Sequence, residues 1–70
     1  MKEVKAIMAG VVLMIPVSQG EQVSVGQEVI ILESMKMAIP IESSDKGEVS
    51  EIRVAVGDFV NEGDVLMVLK

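Results

Sequence analysis

Lys36 stands between two methionines, Met35 and Met37, and that setting marks its amine as the candidate nucleophile. The sequence has no histidine and no cysteine. The usual catalytic triads and the Cys/His metal sites therefore cannot be assembled. Catalysis needs a nucleophile with its base, a pair of acid and base groups, or a metal. The eleven carboxylates are scattered over turns and strand faces without forming a pair, as a solvated surface does. Gly57-Asp58 and Gly63-Asp64 fit turns rather than a phosphate loop, because no helix follows them. The chain is accordingly expected to be non-catalytic. A lone lysine at a hairpin tip is ordinarily a solvated charge. The flanks set this one apart: turn tips favour small polar residues, whereas exposed methionine is an adaptable apolar surface that another protein can recognise.

The elements that must position the tripeptide follow from a repeat. Residues 47–70 fall on residues 10–33 without a gap, and all six glycines pair: Gly10 with Gly47, Gly20 with Gly57, Gly26 with Gly63. Val12, Ile15, Val17, Val23 and Leu32 recur as Val49, Ile52, Val54, Val60 and Leu69. The fold is thus expected to be two related half-domains with Lys36 near their join.

Within each half, apolar residues alternate and turn signals recur every several residues, which is the pattern of short strands. The alternation predicts strands near 3–8, 10–17, 22–24, 28–34, 37–42, 47–54, 59–61 and 65–69. The conserved spacing Val12, Ile15, Val17 and Val49, Ile52, Val54 is three and then two rather than two and two. It predicts a β-bulge or bend in each strand, letting a small sheet curl round its core. Residues 1–70 are expected to form one all-β domain. Its form is a flattened barrel or sandwich of two four-stranded antiparallel sheets with pseudo-twofold symmetry, and closure limits free strand edges. The expected core is Val12, Ile15, Val17, Val23, Val29, Ile31 and Leu32 with Val49, Ile52, Val54, Val60, Leu66, Val68 and Leu69. Strands 28–34 and 37–42 should form a hairpin with Met35-Lys36 at its turn. Met35, Met37, Ile39 and Ile41 would then lie against the body and Lys36 would point into solvent.

Composition bounds the partners. A chain of 70 residues is one small domain that buries only about 60% of the surface its unfolded form exposes. With no disulfide or structural metal to help, stability must come from an aliphatic core, and half of the residues are hydrophobic. The net charge of −5 argues against nucleic acid and against an anionic membrane. The apolar run from Ala6 to Val17 is too short to cross a bilayer, which takes ~20 residues, and it overlaps the repeat, so it is not read as a signal peptide. A cytoplasmic setting is expected, which the lack of cysteine suits.

Glu33-Ser34-Met35-Lys36-Met37 resembles the attachment motif of biotinyl domains, in which the lysine between two methionines receives biotin. The likeness extends through Met8-Ala9-Gly10, Val17 to Val23 with Gly20-Glu21, Gly26, Gly47, and Gly57-Asp58-Phe59-Val60 to Gly63. The resemblance implies a flattened barrel with the lysine on an exposed hairpin. It implies a biotin protein ligase that activates biotin as the adenylate for attack by the Lys36 amine. A lysine amine in water has a pKa of ~10.4, so the ligase must help to remove its proton. It further implies that biotin carries a carboxyl group from a biotin carboxylase to a carboxyltransferase, the carrier supplying a tether and a high effective concentration. Met35 and Met37 would be recognition residues, with Glu33 and Ser34 as the motif's flank. Ala38 and Ala9 depart from residues common in related domains (an acidic or larger residue and a proline), and there is no inserted thumb and no Ala/Pro-rich linker. The chain resembles a free-standing attachment protein or a domain excised from a carboxylase subunit.

Two other readings stand beside this one. A lipoyl carrier has the same fold, but its lysine usually sits in Asp-Lys-Ala. An unmodified interaction module would leave Lys36 inert. The repeat also shows apolar residues Val11, Leu13, Met14, Pro16 and Val25 where the second copy has Glu48, Ser50, Glu51, Arg53 and Glu62. An apolar patch at Met14, Pro16 and Val25, used for docking or weak self-association, is the corresponding expectation.

Overall fold

Runs of Val, Ile and Leu cut by glycine turns leave room only for strands. The computed structural model describes residues 2–70 and contains eight of them: β1 (Lys2–Lys5), β2 (Gly10–Met14), β3 (Gln22–Val23), β4 (Glu28–Ser34), β5 (Met37–Glu42), β6 (Gly47–Ile52), β7 (Phe59–Val60) and β8 (Val65–Leu69). They form two four-stranded sheets, in the orders β1-β8-β6-β3 and β5-β4-β2-β7. Every pairing is antiparallel. Each connection crosses from one sheet to the other except β4 to β5, which doubles back within its own sheet.

The repeat is reproduced in the backbone hydrogen bonds with one exception. Val12 N–H donates to the Asp58 carbonyl at 2.8 Å, as Val49 N–H does to Glu21 at 2.9 Å. Gly57 N–H donates to Val12, as Gly20 N–H does to Val49, each at 2.8 Å. The expected bulges are present as register shifts between Val12 and Met14 and between Val49 and Glu51. One mate is missing for a covalent reason. Arg53 N–H donates to the Leu66 carbonyl at 2.9 Å, but its counterpart is Pro16, which has no N–H to give. Accordingly β2 stops at Met14, whereas β6 runs on to pair Ile52 with Met67.

Four turns share one device. Gly20, Gly26, Gly57 and Gly63 have φ between 85 and 98°, the third position of turns that need a left-handed residue there. The following side chain reaches back to the N–H of the turn's first residue: Glu21 to Ser18 (3.1 Å), Gln27 to Ser24 (3.0 Å), Asp58 to Ala55 (2.9 Å) and Asp64 to Asn61 (2.8 Å). The backbone N–H of each of those four residues returns a bond to the first carbonyl. Gly10 and Gly47 serve differently, through close approach. A Cβ on Gly10 would stand 2.7 Å from the Glu33 carbonyl oxygen, and one on Gly47 would overlap that of Lys70.

The core differs from expectation in three ways. Ile31 is only half-buried, while Ile30 is fully buried beside Val29 and Leu32. A register shift between Glu28 and Ile30 turns two neighbouring side chains inward. The same happens at Leu66 and Met67, so Val68, though covered, lies outside the core cluster. Ile15, Ile52 and Val54 pack on the core but are only partly buried. Val4 and Ala6 join the core unforeseen, and Ile41 lies against the body as expected. Val4 and Ile41 are themselves mates, so the repeat extends into 2–6 and 39–43, where the sequences have diverged. The first strand ends at Lys5 because Ala6 leaves the ladder with β8 and bonds to Gly63 and Asp64, as Ser43 does to Gly26 and Gln27.

Candidate functional site

Strands β4 and β5 pair from Glu28↔Glu42 through Glu33↔Ala38 to Ser34↔Met37, leaving Met35 and Lys36 as the two turn residues. Their φ angles are 53° and 63°. A two-residue hairpin loop takes this left-handed pair because it matches the twist of the strands, and Asn-Gly is its usual filling. Here both residues carry a full side chain. They are the only non-glycine residues at positive φ among those described. An L-residue with a Cβ is disfavoured there, and such outliers cluster at functional sites.

The hairpin climbs out of the core one odd-numbered residue at a time. Ile41 is buried, Ile39 is partly buried against the core, Met37 is 63% exposed and Met35 is 90% exposed. The expectation that both methionines lie against the body is therefore corrected: the core ends at Ile39. Lys36 is exposed and, among the described residues, makes no hydrogen bond or ion pair. What results is a free amine between two exposed thioethers on a tightly turned hairpin whose base is anchored by Ile41 and Ile39.

Glu33 is exposed and Ser34 is half-buried, both on the strand that leads into the turn. Glu33 stands in a row that crosses the whole sheet: Ala38, Glu33, Val11, Phe59. The four are exposed on the outer face, Phe59 to 64%. The mated row in the other sheet is polar, with Glu48 opposite Gln22 and Lys70 bonded to Glu48. Phe59 is the chain's one aromatic residue, and the repeat sets it against Gln22. Met14, Pro16 and Val25 are also exposed.

No trio of carboxylates among the described residues could hold a metal ion. A shallow cleft of about 500 Å³ is lined by Arg53, Asp58, Phe59 and Asp64 together with apolar residues. Its two aspartates are committed to turn N–H groups, and no residue of the β4–β5 turn reaches it.

Comparison with known proteins locates this geometry. Residues 2–69 match the family model described as "Biotin-requiring enzyme". A biotin/lipoyl attachment protein of Bacillus subtilis is 55% identical over 62 residues, which covers 89% of this chain and 85% of that protein. A biotinylated protein, the TB7.3 homolog of Mycobacterium leprae, is 40% identical, over 97% of this chain and 96% of its own length. In structure, the urea carboxylase of Kluyveromyces lactis superposes with a TM-score of 0.92 at 28% identity, over 99% of this chain but 6% of that one.

Proposed function

Because the chain belongs to the biotin/lipoyl attachment family, we propose that Lys36 takes biotin in amide linkage and carries it as a biotin carboxyl carrier. The observation that carries this reading is the left-handed Met35-Lys36 turn, which presents an unpartnered amine at the summit of a hairpin. The residues fit such a group. A tethered cofactor needs no cavity in the carrier, only an amine that a second protein can enclose, and Lys36 meets that condition. Biotin, once attached, supplies the chemistry through a ureido nitrogen that takes up and gives up a carboxyl group.

The chain's own residues do the rest. The Lys36 amine attacks the acyl carbon of the activated biotin; the amide bond forms as the adenylate leaves, and a proton passes to the ligase. The amide abolishes the positive charge of the side chain. The short turn and the buried base of the hairpin hold the attachment point in place, so delivery becomes intramolecular at a raised effective concentration. Met35 and Met37 offer an apolar surface on both sides of the lysine. A ligase, a biotin carboxylase and a carboxyltransferase are the partners this role requires. The carrier does no catalysis itself.

Lipoate is the second reading, favoured by the biotin/lipoyl name of the relative at 55% identity. The methionine flanks favour biotin. Intact mass after co-expression with a biotin protein ligase tests both, with Lys36→Ala as control. One biotin adduct, lost completely in the variant, is the expected result. A lipoyl adduct in cells that make both ligases would move the chain to the second reading, and no adduct beside an active ligase would overturn carriage.

A further inference from the structure

We propose that Met35 and Met37 are a reversible oxidation site: their sulfoxides weaken the grip of the enzymes that handle the tip. The inference rests on the carrier reading. The chain has six methionines and no cysteine, tryptophan, tyrosine or histidine, so thioethers are its readiest targets for a two-electron oxidant. Exposure then ranks the five that the structure describes. Met35 is 90% exposed and Met37 63%, Met14 is 52% exposed, Met8 is half-buried and Met67 is fully buried. Among the described methionines, the two best targets are the two neighbours of Lys36.

The reaction balances with hydrogen peroxide as oxidant. A sulfur lone pair attacks one peroxide oxygen, an S–O bond forms, the O–O bond breaks, sulfur gives up two electrons and water leaves. A methionine sulfoxide reductase reverses the step, its thiols supplying the electrons and the oxygen departing as water. Each event turns a flexible apolar side chain into a polar one. The fold has no stake in the change, because neither side chain belongs to the core cluster. The backbone of the turn is held by β4 and β5 rather than by these sulfurs. The damage is therefore confined to recognition.

The test treats the unloaded chain with dilute hydrogen peroxide, since biotin carries a thioether of its own. Peptide mass mapping should find the added oxygens first at Met35 and Met37, then at Met14, and last at Met67. The oxidised chain is then loaded by a purified biotin protein ligase, and the loaded product is offered to a biotin carboxylase. At least a threefold loss of kcat/KM in one of the two reactions is expected, restored by methionine sulfoxide reductase. Met14→Leu should keep that sensitivity. Met35→Leu with Met37→Leu should show none when compared with its own untreated rate. Equal rates in both reactions, oxidation at Met14 ahead of the pair, or a double variant that remains sensitive would each overturn the proposal alone. An untreated chain that takes up no biotin would overturn the carrier reading and this inference with it.

Discussion

The turn between β4 and β5 and the place where β1 meets β8 are mates under the internal repeat, yet they are built to opposite ends. In the first, the chain doubles back through Met35 and Lys36. In the second, Lys2 faces Leu69 across the sheet and no turn joins them. The strands beneath are equivalent: Val4 and Ile41, Leu32 and Leu69, and Gly10 and Gly47 fill matching roles. The outer faces are not equivalent, since Val11 and Phe59 stand in one sheet where Glu48 and Gln22 stand in the other. Folding needs both halves and constrains what faces inward. Among the described residues the left-handed two-residue turn and the apolar Val11–Phe59 pair occur once, in the sheet that carries Lys36.

The largest expected effect breaks the mated glycines. Gly10→Ala and Gly47→Ala each drive a Cβ into a backbone carbonyl that cannot move aside as a side-chain tip would. Overpacking of this kind costs about 1–3 kcal/mol, and the larger loss, measured by urea denaturation, is expected at Gly47, where the added Cβ comes closer to backbone and φ is positive. Their effects on loading should differ. Gly10 abuts Glu33, on the strand that leads to Lys36, whereas Gly47 abuts Lys70. Gly10→Ala should slow biotin transfer well beyond its effect on the folded fraction, and Gly47→Ala should not. Equal slowing by both would mean that the site is not confined to one half.

The four stapled turns sharpen the same comparison at a smaller scale. Asp58→Ala and Asp64→Ala each remove one acceptor from an exposed turn, at a cost of about 1 kcal/mol. Gln27→Ala should cost less, since the bond it loses is neutral rather than charge-assisted. Asp58→Asn should recover most of the loss, because the amide oxygen still accepts from Ala55. If Asp58→Ala proved silent in a thermal melt, the left-handed glycines alone would be holding the turns.

These pairs also mark what was legible in the sequence. The glycine mates announced the turns, and the three-then-two spacing announced the bulges, because both leave a trace in residue type and interval. All eight strands were anticipated, three of them to the residue: 28–34, 37–42 and 65–69. The second bulge left no trace. Ile30 and Ile31 are chemically alike, so only the shifted register with β5 decides which one is buried. Val4 and Ala6 were missed because their mates, Ile41 and Ser43, lie in stretches that no longer resemble theirs. The place of Lys36 in a hairpin turn was legible from the strands on either side of it. That Met35 and Met37 stand clear of the body was not, since alternation predicts which face a residue takes but not how far the core extends along the strand.

The smallest effect separates the turn's fold from its use. Met35 holds φ at 53° where asparagine is the more comfortable occupant. Its side chain, 90% exposed, offers the fold almost no burial in return. Met35→Asn should therefore raise stability by about 0.5–1 kcal/mol, read as a higher denaturation midpoint at unchanged slope. The same change removes half of the apolar flank of Lys36, so biotin transfer should slow. A gain in stability with a loss in rate would identify a residue kept against the preference of its own backbone, which the mated end of the molecule has no occasion to show. A loss of stability would mean that Met35 packs in solution, and that the core reaches past Ile39 and Met37 to the turn itself.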